Sequence, residues 1–250
     1  MIENKKIIFE SGRILNSKML NELQNFSLRN IEIKYNKYSS GIIMGFDFQS
    51  DRESLYLMPG ILKYDEEYYF LNSKLKVMDF SEEGGKKYIY LLPKDKEEEE
   101  DNIIAKELKI KVSSEEIEKN AIYLGEFQHY QNRNIKTNYR TLENLGEPGV
   151  FINIINRKYA GINGETLSPE IISLFANKII DEIFSNNLDY YIFTKGLNRE
   201  IVEIDILKKY LGDTDDFVEL YKLLKNKEFE KKSETKIVEE NEDEGFSAGF

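Results

Sequence analysis

His129 is the only histidine in the chain and there is no cysteine, which narrows the possible reaction centres before any fold is considered. A Ser-His-Asp triad would have to use His129. Its neighbours Gln128, Tyr130 and Gln131 supply no nucleophile, and no Gly-x-Ser-x-Gly turn occurs anywhere. The polar context reads His129 as a loop residue. One imidazole and no thiolate cannot build a His- or Cys-rich metal site, so only an all-oxygen site for Ca²⁺ or Mg²⁺ survives. The chain has 46 acids, but no spacing fixes a pair of them in a cleft. The consecutive run Glu97 to Asp101 lacks the alternating ligands and the glycine turn of a calcium loop and reads as a solvated hairpin loop. Gly161-x-x-Gly164 could open a phosphate loop, yet no Lys-Ser or Lys-Thr follows it. No catalytic, cofactor or metal residue is therefore assigned, and the chain is expected not to be an enzyme.

What remains is surface, and the elements that would present it. Residues 16–38 read as an amphipathic helix with Asn16 and Ser17 as candidate caps. Met19, Leu20, Leu23, Phe26 and Ile31 recur at three- and four-residue spacings, against Lys18, Glu22, Asn25 and Arg29. A single helix cannot bury its own stripe; it must lie on a sheet or on copies of itself. Residues 41–92 then read as short strands separated by turn signals, with Gly41–Phe48 and Leu55–Leu62 as two of them. Lys87–Leu92, apolar on both faces, is the expected central strand. Ala105–Val112 and Ala121–Phe127 continue the pattern, whereas 132–145 is polar with few anchors. Glu147-Pro148-Gly149 is the expected boundary between a domain over 1–147 and a mainly helical one over 148–230. In the latter, Ser168-Pro169-Glu170 starts one helix, with a stripe running to Phe184. A second runs from about Asn198 to an αL cap at Gly212, and a third starts at Asp213 or Thr214. The fold class is thus α+β: an N-terminal helix with an antiparallel β-sandwich, a small helical domain, and an acidic tail over 231–250.

That tail is expected to be disordered, with six acids against one Lys between Ser233 and Phe250. It ends in Phe246 and Phe250, candidate residues for docking onto a partner. A net charge of −11 argues against duplex DNA as a ligand, since that affinity rests on cationic side chains neutralising phosphate. No apolar run approaches the twenty residues of a membrane span, and the first residues lack a secretory apolar core, so synthesis in the cytoplasm without a signal peptide is expected.

Phe9-x-x-Gly12-x-x-Leu15, followed by a polar helix start and Leu20-x-x-Leu23, resembles the N-terminal segment of baseplate proteins of contractile injection systems. The nearest comparison is the TssK-like shoulder domain and its relatives among phage receptor-binding and adaptor proteins. Gly41–Phe48 and Leu55–Leu62 look like the first strands of that domain, and the likeness covers roughly residues 7–92. The resemblance implies a structural baseplate or fibre-adaptor subunit of a phage tail or tailocin-like particle. It would form a homo-oligomer, with a trimer favoured, and contact other baseplate or tail-fibre subunits. Met19, Leu20, Leu23 and Phe26 are the candidate assembly residues, and no cofactor is implied. An alternative is a single-stranded DNA-binding protein with an acidic, Phe-ended docking tail, although the aromatic residues are not interleaved with a basic stripe.

Overall fold

The computed structural model describes residues 16–94, 98–100, 103–116, 121–182, 184 and 186–229; side chains are described for all of these except 18, 22–25, 27, 98–100 and 103–105. The Phe9–Gly12 segment, Phe246 and Phe250 lie outside these residues. Helix α1 (Ser17–Tyr35) starts where the cap residues place it, with the Met19 amide donating to Asn16 Oδ1 at 2.9 Å.

Each of the next two expected strands is broken in its middle. The first becomes β1 (Gly41–Gly45) and β2 (Phe48–Ser50), the second β3 (Ser54–Leu57) and β4 (Gly60–Tyr64). β1 pairs with β4 and β2 with β3, but the two pairs belong to different sheets, so a two-stranded ribbon passes from one sheet into the other. At the crossing Gly45 and Phe46 both take left-handed φ values, 69° and 60°. The Phe46 amide donates to the Pro59 carbonyl at 3.3 Å and the Met58 amide to the Asp47 carbonyl at 2.8 Å, so pairing survives the turn. The backbones are too close for side chains there. A Cβ on Gly45 would lie 2.2 Å from the Pro59 oxygen, and one on Gly60 2.5 Å from the Phe46 nitrogen.

Asp65 and Glu66, both at positive φ, turn β4 into β5 (Glu67–Leu71), and β6 (Leu75–Asp79) pairs with β3. Strand β7 (Gly85–Pro93) is buried over Tyr88–Leu91, as its two-faced apolar pattern implies. The acidic run expected as a loop instead contributes β8 (Glu98–Glu100), paired with β9 (Ile103–Ala105). β10 (Leu108–Ser113) and β11 (Ile122–His129) then flank β7 on either side. The polar stretch after β11 carries more of the core than its composition suggests. Ile135 is buried, and a 3-10 turn over Leu142–Gly146 buries Leu142 and Leu145.

Beyond Gly149 the chain returns to the first sheet. β12 (Tyr159–Gly161) runs parallel to β1, and β13 (Gly164–Thr166) pairs back on it, giving the order β13-β12-β1-β4-β5. Gly161-x-x-Gly164 is therefore a hairpin turn. Helix α2 (Pro169–Lys178) starts at the expected Ser-Pro-Glu signal but ends six residues short of Phe184, and Ile171, Ile172, Leu174, Phe175 and Ala176 are all buried. α3 (Asn187–Leu197), which the sequence reading did not include, is capped by Asn186 in a box with Asp189. It packs so tightly on α2 that a Cβ at Gly196 would lie 2.6 Å from that of Ala176. α4 (Ile204–Leu211) begins later than expected and ends at Gly212, whose φ 147° and ψ 151° are extended on the glycine-only side rather than αL. α5 (Phe217–Asn226) is capped by Asp216 instead of Asp213 or Thr214.

The architecture is mixed α+β, with several largely antiparallel sheets and no closed barrel among the described residues. Buried residues from Ile42 to Leu224 form one contiguous core, to which strands and C-terminal helices both contribute. Gly60→Ala should cost about 1–3 kcal/mol or more in urea unfolding, because the added methyl meets backbone atoms that cannot move aside. Gly146→Ala, where the nearest atom is 3.9 Å away, should be near neutral. Equal effects at the two sites would contradict the crossing geometry.

Candidate assembly surface

Lys63 on β4 is almost wholly buried, and its chemistry fixes the base of α1. Its Nζ donates to the carbonyls of Asn36 and Tyr38 at 3.2 and 2.8 Å and pairs with Glu66 at 3.0 Å. Asn36 is the C-cap of α1, so a cation at its carbonyl complements the negative end of the helix dipole, while Tyr38 belongs to the segment beyond the helix. Tyr35 packs edge-on against Tyr38, with ring centroids 5.1 Å apart.

The helix anchored in this way is apolar on two sides. At about 100° per residue, Ile31 and Tyr35 stand about 140° and 180° around the axis from Phe26. Both are half-buried. Leu20 and Leu28 extend this stripe towards the N-terminus, where Leu20 is 52% exposed. On the opposite side Phe26 is 69% and Ile33 75% exposed, with Met19 half-buried on the same face. Of the four residues assigned from the sequence, Leu20 and Phe26 are exposed, Met19 is half-buried, and the side chain of Leu23 is outside those described. Ile33 was missed, although its seven-residue spacing from Phe26 is the helical repeat that would have found it. Phe26 and Ile33 thus form a pair of large apolar side chains left in water on one face of the helix.

Beside the base of α1 lies a polar cleft of about 370 Å³, bounded by β1, the start of α2 and the end of α3. Its charges are largely matched within it: Lys195 pairs with Glu200 at 2.6 Å and Arg199 with Glu170 at 3.4 Å. Burial pushes the Glu170 carboxyl above its ordinary range, against the opposing pull of Arg199. Burial and Glu203, which accepts its hydroxyl at 2.9 Å, push the Tyr191 phenol up to about 12. A second cavity of about 570 Å³ is more apolar, lined by Phe46, Leu57, Leu75, Leu91 and Leu108 beside strand β5. Lys106 reaches across to Glu67 there at 2.6 Å.

His129 is not a loop residue. It is buried at the end of β11 between Phe80 and Phe127, with Nε2 3.2 Å from the Glu82 carbonyl. Among the described residues, no group of three or more His, Asp or Glu is arranged to hold a metal ion, and no helix is long and apolar enough to cross a membrane. Comparison with known protein families and with curated protein sequences returned no match.

The raised carboxyl of Glu170 gives a pH test. A folded-state value above the unfolded one means that stability falls as pH rises from about 4.5, and that the burial cost persists once the group is ionised. Glu170→Gln should therefore raise the thermal midpoint at neutral pH, with the gain shrinking as pH falls through the carboxylate range. A lower midpoint at neutral pH would show that the Arg199 pair outweighs burial.

Proposed function

We propose that the protein is a structural assembly subunit that works through protein–protein contacts made by α1. The observation that carries this reading is the outward apolar face of α1, with Phe26 and Ile33 in water on a helix held to the body at its C-terminal end. A helix apolar on two opposite sides is suited to lying between bodies. The particle is named by resemblance alone: residues 7–92 are similar to the baseplate proteins of contractile injection systems, so the subunit is read as a baseplate or fibre-adaptor component of a phage tail or tailocin-like particle. On this reading residues 1–147 supply the β-sandwich with its N-terminal helix, to which β12 and β13 add from the mainly helical part over 148–230, and Phe246 and Phe250 at the acidic end dock a neighbouring subunit.

Phe26→Asp combined with Ile33→Asp separates assembly from folding, since both side chains are exposed in the isolated chain. Sedimentation should show loss of self-association, while the thermal midpoint of the dilute protein stays unchanged. A wild-type protein that remains monomeric at high micromolar concentration, or a variant that associates as well as wild type, would overturn the assembly reading. Mass spectrometry of purified sheath-bearing particles tests the wider one, which fails if the chain is absent from them.

A further inference from the structure

The tip of the β12–β13 hairpin links the segment after α1 to helix α4 through one short turn. Gly161 pairs with Gly164, so Ile162 and Asn163 make the loop, and Asn163 takes the left-handed φ of 68° that its short polar side chain tolerates. On one side Tyr38 and Ile162 form an isolated bridge, and the Ser39 amide donates to the Gly161 carbonyl at 3.0 Å. On the other, Asn163 Nδ2 donates to Asp205 Oδ2 at 3.1 Å, in the first turn of α4. Asn163 and Asp205 are both exposed, and Asn163-Gly164 is the only Asn-Gly step in the chain.

We infer that Asn163-Gly164 is a self-modifying site, at which the side-chain amide is exchanged for a carboxylate beside Asp205. The Gly164 backbone nitrogen bonds to Asn163 Cγ, the Cγ–Nδ2 bond breaks, and the Gly164 amide proton leaves with that nitrogen as ammonia. Water then opens the cyclic imide. Opening at Cγ gives aspartate; opening at the Asn163 backbone carbonyl gives isoaspartate, with the chain running through Cγ. Glycine suits the attacking position because it has no Cβ to crowd the ring. Water is the only co-reactant. The product sets two carboxylates where one hydrogen bond stood. Lys158 and Lys208, which line the same cavity of about 520 Å³, are already engaged, with Glu165 at 2.5 Å and with Asp215. Repulsion therefore loosens the tip from α4, and with it the turn that holds Tyr38 and Ser39. Thr166 Oγ1, donating to the Val202 carbonyl at 2.5 Å, keeps the far end of β13 in place, so the change is confined to the tip.

The test uses the folded full chain, incubated at mildly alkaline pH, where the attacking amide loses its proton more readily. Digests are read by mass spectrometry over time against zero-time samples. The peptide holding residue 163 should gain the mass difference between O and NH, ahead of every other Asn in the chain, whereas an Asn163→Gln chain should not change there. Asn163→Asp supplies one product directly. Its thermal midpoint should fall by about 2–4 °C, and the deficit should shrink in high salt. Asp205→Asn in the same chain should restore the midpoint, since the hydrogen bond is then remade with its direction reversed. Conversion at residue 163 only after unfolding, or no faster than at the other Asn residues, overturns the inference. So does an Asn163→Asp chain as stable as the wild type, or one that Asp205→Asn does not rescue. None of these results bears on the assembly reading, which rests on other residues.

Discussion

The fold depends on the place where one ribbon of chain crosses between two sheets. Gly45 and Phe46 turn left-handed while Pro59 and Gly60 pass within van der Waals distance of them, and the hydrogen bonds at Phe46 and Met58 keep the two chains paired through the turn. Arg157 secures the crossing from a segment more than a hundred residues later. It is buried, donates from its guanidinium to the Phe46 carbonyl, and lies over the Phe48 ring at 4.8 Å. This buried cation is held by a backbone carbonyl and an aromatic face, with its Nε left without a hydrogen-bond partner, and is placed by geometry rather than by ion pairing. Because Arg157 leads directly into β12, the same contact registers β12 beside β1 and brings the helices that follow onto the common core.

Other buried polar groups work in the same way. Lys63 stands on β4, three residues beyond the crossing, and ties the C-cap carbonyl of α1 and the Tyr38 carbonyl after it to the sheet. Asp189 caps α3 and accepts the Tyr210 hydroxyl of α4 at 2.8 Å, while the Tyr221 hydroxyl of α5 donates to the Leu142 carbonyl at 2.6 Å. Each joins elements distant in sequence and is costly to strip of its partner in a low-dielectric interior. The outer face of α1 has no such fixture among the described residues. Its Phe26 and Ile33 are the most exposed large apolar side chains among the described residues, which is why the account of function rests there.

Local signals in the sequence were read well where they act locally. Asn16 caps α1, Ser168-Pro169 starts α2, and the two-faced apolar run around Ile89 is a central strand. The crossing was not legible, because a switch between sheets depends on a non-local close approach of the backbones at Gly45 and Gly60, while alternation within each segment looks continuous. Helix α3 had its signal in Asn186 and Asp189, but its apolar positions are interrupted by Tyr190, Thr194 and Lys195, which obscures the period. The buried states of Lys63, Arg157 and His129 could not be read from residue type, since each residue belongs to a class usually exposed or half-exposed. On α1 the exposure of Ile33 was not singled out, although its seven-residue step from Phe26 repeats the helical period.

The central claim is that the outer face of α1 is covered by another protein surface in the working assembly. Amide hydrogen exchange across residues 17–35, followed over a wide range of protein concentration, tests it most directly. Protection should rise with concentration and be concentrated in α1, while amides of the central strand over Gly85–Pro93 exchange at the same slow rate throughout. Exchange in α1 that is independent of concentration, or protection that rises elsewhere and leaves α1 unchanged, would contradict the account.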